Sequence, residues 1–339
     1  MAFFRGMSRN RLFQILGYSL SAGCLIWVLW GYPIAELAER IRELDWRWVL
    51  LAVLSDLTTY VVHAWRWNTL LNPVVRPAFW RTVQAIYIGL FANEVLPLRT
   101  GEVIRCYLVA QWNNLRLSLS FASAAVERLI DGLWMIVAFV ITANYVKVPE
   151  GVKITVEGMA VVVFLGVAVL FWVLNRKQEA HAAIAESRWA SGLRHIIEGL
   201  YLMGDRRTLL RTTAISLLYL VLQIVPYFAL LKADHFDLGF WAAAAVLTIV
   251  RLGTVVPNAP GNLGVFQLSC VKALGLFDVD PTDAKTFSFI LFFAMTVPLL
   301  IGGAVATALT GLKLGELRER ARRGTVIAPP DTPDLPNPS

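Results

Sequence analysis

Four arginines and four carboxylates stand within or beside long apolar stretches: Arg99, Arg105, Arg128 and Arg251, with Glu94, Glu102, Glu127 and Asp131. An arginine in such a place can hold two phosphate oxygens through parallel N–H groups. A carboxylate can bind a cationic headgroup or take up a proton. Glu127 and Asp131 are four apart and share a helical face, and Arg128, three before Asp131, can reach it. Four positive charges against four negative ones also allow a plainer arrangement, in which the eight pair with one another and glue helices together. Asn93 precedes the set. The amides Asn258, Asn262 and Gln267 could hydrogen-bond a headgroup or satisfy a broken backbone. Asp56 and His63 lie seven apart on one face, where both can pair with Arg66 as structural contacts.

The surroundings of these charges decide what they cost. Of 339 residues, 57% are hydrophobic and 16% charged, and the mean hydropathy is +0.59. Soluble domains carry roughly 25% charged and 45–50% apolar residues. The excess cannot be hidden in a soluble core of this size, which excludes a cytosolic enzyme and any disordered or fibrous class and indicates a polytopic membrane protein. A charge at the bilayer centre costs at least ~2.5–3.5 kcal/mol, so all eight residues need partners. The net charge, 31 − 24 = +7, reads as basic cytoplasmic loops rather than nucleic-acid binding. Cys24, Cys106 and Cys270 lie far apart without metal-ligand spacing, so no disulfide framework, metal site or cofactor is expected.

The elements that must position the charges follow from run length. Residues 12–35, 48–65, 118–145, 158–175, 212–231 and 286–312 are near or above the ~20 residues that a ~30 Å hydrocarbon core requires. Four shorter apolar limbs remain, 82–98 with 103–112 and 238–250 with 261–271, and each pair is interrupted by a Pro/Gly turn. The spacing predicts an all-α transmembrane bundle of six full spans plus two re-entrant helical hairpins; eight or more tilted crossings is the alternative. Arginines and lysines concentrate in 176–211 and after residue 312, which places both segments, and the N- and C-termini, in the cytoplasm. The two hairpins then insert from opposite sides. Residues 1–315 form the membrane domain. Within it, 176–211 is a basic connector whose stretch 184–201 has the spacing of an amphipathic surface helix or of a plain helix packed on the bundle. Residues 316–339 form a basic, then Pro-rich, disordered tail. Trp27, Trp30, Trp46, Trp48, Trp65 and Trp67 cluster near span ends, as interfacial anchors do.

The two turns read alike. Pro97-x-x-x-Gly101-x-Val103 matches Pro257-x-x-x-Gly261-x-Leu263, with Pro260 and Gly264 as further breakers in the second. Pro and Gly in any turn would give the same spelling. Inserted from opposite sides, they fit an inverted repeat with a polar site between broken helices at the midplane.

At these residues the chain resembles a known family. Asn93-Glu94-Val95-Leu96-Pro97-Leu98-Arg99-Thr100-Gly101-Glu102-Val103-Ile104-Arg105 is similar to the N-x-x-(L/F)-P-x-(R/K)-x-G-(E/D)-x-x-R signature of flippase-like integral membrane proteins, which include the membrane domain of lysylphosphatidylglycerol synthase/flippases. Glu127-Arg128-Leu129-Ile130-Asp131 resembles their E-R-x-x-D. Residues 257–267 resemble their P-x-x-P-G-x-(L/I)-G-x-x-(E/Q), with Gln267 where many relatives have Glu. The resemblance runs over roughly residues 11–315. It implies movement of a phospholipid or similar polar lipid, aminoacylated, hopanoid or glycolipid, across a bacterial inner membrane, with the first-hairpin charges and the E-R-x-x-D helix touching the headgroup. The bifunctional members carry a soluble aminoacyltransferase domain after the membrane region, so a stand-alone member is not expected to make lysylphosphatidylglycerol. A second copy of the chain or a separate lipid-synthesis enzyme is the candidate protein partner.

Two other functions compete. Paired carboxylates could serve acid–base chemistry in an intramembrane lipid-modifying enzyme, but the sequence has no H-E-x-x-H, G-x-S-x-G or P-loop, and Asp278-Val279-Asp280 reads as a solvated acidic loop. An assembly or regulatory subunit of an envelope pathway would need no transport of its own. No ATPase signature is present, so any pumping draws on an ion gradient.

Overall fold

A computed structural model describes residues 22–30, 34–96, 100–143, 150–175, 203–255 and 260–311, with single residues at 19, 197, 200 and 201. Every regular element among them is helical. In chain order these are α1 (Ile34–Glu43), α2 (Trp46–Leu71), α3 (Phe79–Val95), α4 (Gly101–Trp112), α5 (Leu117–Ala143), α6 (Glu150–Asn175), α7 (Arg206–Ala233), α8 (Phe240–Val255), a 3-10 turn (Pro260–Asn262), α9 (Val265–Leu274) and α10 (Pro281–Thr310). Residues 22–29 are also helical, within the expected first span. Most of the rest of that span, most of the 176–211 connector and the 316–339 tail lie outside the described residues.

The long helices α2 and α10 are apolar and start on side-chain caps. Asp45 Oδ1 accepts the Arg47 N–H at 3.0 Å before α2. Asp280 Oδ1 accepts the Thr282 N–H at 2.8 Å before α10, which has proline in its first turn and ends on Gly311 at φ +64°. Such side chains satisfy N–H groups that a helix leaves without partners. α2, α7 and α10 are long and apolar enough to cross a membrane. α5 and α6, of 27 and 26 residues, reach about 40 Å at 1.5 Å per residue. On α10 the exposed residues Phe293, Val297, Ile301, Val305 and Leu309 form an unbroken i, i+4 stripe, the surface of a helix whose solvent is lipid.

The four short limbs have 17, 12, 16 and 10 residues. Those lengths span only about 26, 18, 24 and 15 Å, short of the ~30 Å core. α3 packs on α4, and α8 on α9, so each pair is a helical hairpin. α2 and α7 give them a common axis. These two run antiparallel: the Asp45 N–H donates to Ala233 O (3.0 Å), Ser55 to Leu222 O (3.0 Å), and Arg66 to Ser216 Oγ (3.3 Å). The second hairpin packs at the Ala233 end, where Leu230, Val246, Cys270 and Phe287 share one core. The first packs at the other end with Trp67, Ile86, Ile104 and Val126. They enter from opposite ends and meet between the cores, where the 260–262 turn packs on α3.

One element is added to this frame and one expectation is corrected. The addition is α1, a short helix between spans whose Leu37 and Ile41 pack on the first-described core while Arg40 ties it down. Arg40 Nε lies 2.5 Å from Asp234 Oδ1 and its Nη1 3.2 Å from Asp283 Oδ1. Burial pushes the Asp234 carboxyl above its ordinary range, and Arg40 pulls it back. Trp67 is no interfacial anchor. It is fully buried, because its indole N–H donates to Ser123 Oγ at 2.9 Å and its ring face receives Arg105.

Candidate functional site

α2 carries a polar stripe on an otherwise apolar helix: Asp56, Tyr60, His63 and Arg66, at spacings of four, three and three. That periodicity keeps them on one face. The face looks toward α5, α7 and the first hairpin. Arg66, fully buried, donates to Glu127 Oε1 at 3.0 Å and to Asp131, whose Oδ2 lies 3.2 Å from Nη2. Its guanidinium also stacks on the Tyr219 ring, 4.5 Å from the centroid. From α4, Arg105 reaches the other oxygen of Glu127 at 3.3 Å and holds Glu102 Oε2 at 2.9 Å. Its other face lies 4.6 Å from the centre of Trp67. His63 Nε2 stands 3.5 Å from Glu127 and 3.3 Å from Arg105. Arg128, half-exposed, closes the network on Glu102 at 2.7 Å and Asp131 at 3.7 Å.

Three arginines therefore meet three carboxylates: Arg66, Arg105 and Arg128 against Glu102, Glu127 and Asp131. Glu127 accepts from two guanidinium groups, which compensates its burial. The cluster is a welded joint of α2, α4 and α5.

Beside it opens a cavity of about 290 Å³, lined by residues of α2, α3, α4, α5, α7, α8, α9, α10 and the 260–262 turn. Its wall is mixed. Glu94, Glu102, Arg105 and Arg128 come from the first half of the chain, Arg251 and Asn262 from the second, and Leu90, Leu247, Phe266 and Phe292 are apolar. Among the described residues Arg251 makes no ion pair; it lines the cavity together with Asp56. An arginine with open donors in a partly apolar cavity can take a phosphate oxygen pair.

The expected site residues divide into four groups. Glu94, Glu102, Arg105, Arg128, Arg251, Gly261 and Asn262 line the cavity. Glu127 and Asp131 lie behind that wall in the ion-pair cluster. Asn93, Gly101, Gly264 and Gln267 shape the hairpins. Asn93 Oδ1 accepts the Gly101 N–H at 2.8 Å, and Gln267 Oε1 accepts the Gly264 N–H at 2.7 Å from a fully buried position off the cavity. Pro260 starts the 3-10 turn. Pro97, Arg99, Pro257 and Asn258 lie outside the described residues.

The pairing of Asp56 and His63 with Arg66 is corrected. Asp56 is hydrogen-bonded by Tyr60, at 3.0 and 3.2 Å. Ten residues of helix put it about 15 Å from Arg66 along the axis, while α5 offers Arg66 two carboxylates at its own level. His63 turns to Glu127 as well. Arg66 is thus the central cation of the cluster. Its only sequence signal is its place on the stripe, ten residues after Asp56.

A family model described as the lysylphosphatidylglycerol synthase TM region matches residues 14–303. A UPF0104 membrane protein of Pyrococcus horikoshii is 25% identical over 170 residues, 49% of this chain and 48% of its own length; the match thus spans about half of that relative. One from Methanothermobacter thermautotrophicus is 20% identical over 264 residues, 68% of this chain and 75% of its own. One from Methanocaldococcus jannaschii is 23% identical over 223 residues, 61% and 92%. No solved structure matches.

Proposed function

We propose that this chain, which belongs to the lysylphosphatidylglycerol synthase TM-region family, moves a phospholipid or related polar lipid between the leaflets of the inner membrane. One observation carries the reading: two short hairpins enter from opposite ends of the bundle and meet at a cavity that presents Arg251. Broken helices of opposite insertion put a polar site where a headgroup must pass. The Arg251 guanidinium binds the headgroup phosphate, and Asn262 of the facing turn adds an amide. Half-exposed Arg128 marks the mouth of the cavity, and the acyl chains stay in the bilayer. The residues act by binding and charge compensation, without bond cleavage. Arg-rich segments around 176–211 and after 312 lie on the cytoplasmic side by this reading.

Translocation in sealed vesicles tests it. Purified protein is reconstituted with headgroup-labelled anionic, zwitterionic or lysylated phospholipid, and an impermeant quencher follows exposure of the label. Wild type is expected to exceed empty vesicles for at least one lipid, and Arg251→Ala to lower that rate by tenfold or more, the equivalent of about 1.4 kcal/mol. Folded, inserted wild type that moves none of them overturns the reading.

A further inference from the structure

The cavity holds a carboxylate that headgroup binding leaves unused. Asp56 is the eleventh residue of α2, about 15 Å along it, and it is 5% exposed. Both of its oxygens accept from a single neutral donor, the Tyr60 hydroxyl, and among the described residues no cation forms an ion pair with it. Glu102, Glu127 and Asp131 differ in this respect, since arginines hold all three. The titratable and charged groups around Asp56 are Tyr60 and His63 on its own helix, Tyr87 and Glu94 of α3, Tyr219 and Tyr227 of α7, and Arg251 of α8. Glu102, Arg105 and Arg128 line the far side, already paired with one another or with the cluster. α10 and the 260–262 turn bring only uncharged side chains to this cavity. Arg251 is thus the uncommitted arginine that shares the cavity with Asp56.

We propose that Asp56 is the proton-binding site of this cavity and that it competes with the lipid phosphate for Arg251. The proposal rests on the translocase reading and supplies its coupling. With Asp56 ionised, its negative charge compensates Arg251, and the cavity has little net positive charge to offer a phosphate. A proton arriving from water onto a carboxylate oxygen removes that competition and frees Arg251 for the headgroup. Tyr60 serves both states: its hydroxyl donates to the carboxylate and, by rotating, accepts from the carboxyl. Proton and anionic headgroup then favour each other's binding by the same factor, as linkage requires.

The test is calorimetric titration of full-length protein in detergent with dihexanoylphosphatidylglycerol, from mildly acid to mildly alkaline pH and in buffers of different ionisation enthalpy. At pH values where Asp56 is ionised in the free protein and protonated in the complex, wild type is expected to take up about one proton per lipid bound, with affinity falling by up to about tenfold per pH unit. Asp56→Asn is expected to bind without proton uptake and with a flat pH profile, and Asp56→Glu to restore both. An unchanged slope and proton uptake in Asp56→Asn, with binding still lost in Arg251→Ala, overturns the assignment of Asp56 alone. A dependence on sodium at fixed pH, lost in Asp56→Asn, overturns the proton as the ligand. Binding equal in wild type and Arg251→Ala, or absent from both, overturns the headgroup reading and this proposal with it.

Discussion

The two hairpins occupy equivalent places and are built from different materials. Near its turn the first carries Glu94, Glu102 and Arg105, and the latter two are bound into the ion-pair cluster with α5 and α2. Its limbs also meet backbone to backbone. A Cβ on Gly101 would run into the carbonyl oxygen of Gly89, and one on Gly89 would lie 2.8 Å from the carbonyl oxygen of Gly101. The second hairpin carries Arg251 without an ion pair among the described residues, and its turn is held by local devices, left-handed Gly261, Asn262 and Gly264 and the Gln267 cap. Charge in one hairpin is spent on structure, and charge in the other stays available. A fixed half and a receptive half facing one cavity are what a binding site between broken helices needs.

The largest effect should come from breaking the weld. Arg105→Ala removes a buried cation from Glu127 and Glu102 together and empties the face of Trp67. Losing one partner of a buried ionic network costs about 3–5 kcal/mol. The same truncation in the other half, Arg251→Ala, removes no ion pair among the described residues and should cost clearly less. SDS titration in mixed micelles, read by tryptophan fluorescence, measures both. Equal losses in the two variants would erase the distinction between the hairpins.

That asymmetry is only partly legible in the sequence. The hairpins are, because Pro and Gly interrupt apolar runs too short to cross, and limb length needs no partner to be read. The opposite insertion is as well, through charge parity. The i, i+4 pair Glu127 and Asp131 is placed on one face correctly, and Arg66 indeed reaches both residues. The cation itself is hidden: spacing rules see neighbours on one helix, and Arg66 finds its carboxylates on another, 61 and 65 positions away. Gln267, conspicuous in its motif, instead makes a local contact, turning inward to its own helix start. Of the two roles its sequence allows, headgroup ligand or partner of a broken backbone, the amide takes the second at the Gly264 N–H.

The close approach in the first hairpin gives the next effect. Gly101→Ala must push α4 off the Gly89 carbonyl and off Asn93 Oδ1, which lies 2.6 Å from the added Cβ. Backbone cannot yield as a side-chain tip can, so the cost should reach about 1–3 kcal/mol, the range of overpacked cores. The strain falls on the turn that positions Glu102 and Arg105. Lipid binding should therefore weaken along with stability, and calorimetric titration beside the SDS melt detects the two together. Full lipid affinity at reduced stability would show that the first hairpin only supports the site.

Gly261→Ala probes the second turn by a different route and should cost less than Gly101→Ala. Gly261 sits at φ +72° and ψ +4°, where an L side chain pays about 1–2 kcal/mol. Its added Cβ would lie 3.1 Å from Glu94 Oε2, the far end of a flexible side chain, so space adds little to that strain. Gly261→Asn should recover part of the loss, because asparagine tolerates the left-handed region, as Asn262 beside it already does at φ +55°. Recovery by asparagine identifies backbone conformation as the constraint at 261. At Gly101 asparagine should fare worse than alanine, since there the constraint is volume. If asparagine at 261 is instead as damaging as at 101, the second hairpin is as tightly closed as the first, and Arg251 is held in place by packing that its lack of ion pairs does not reveal.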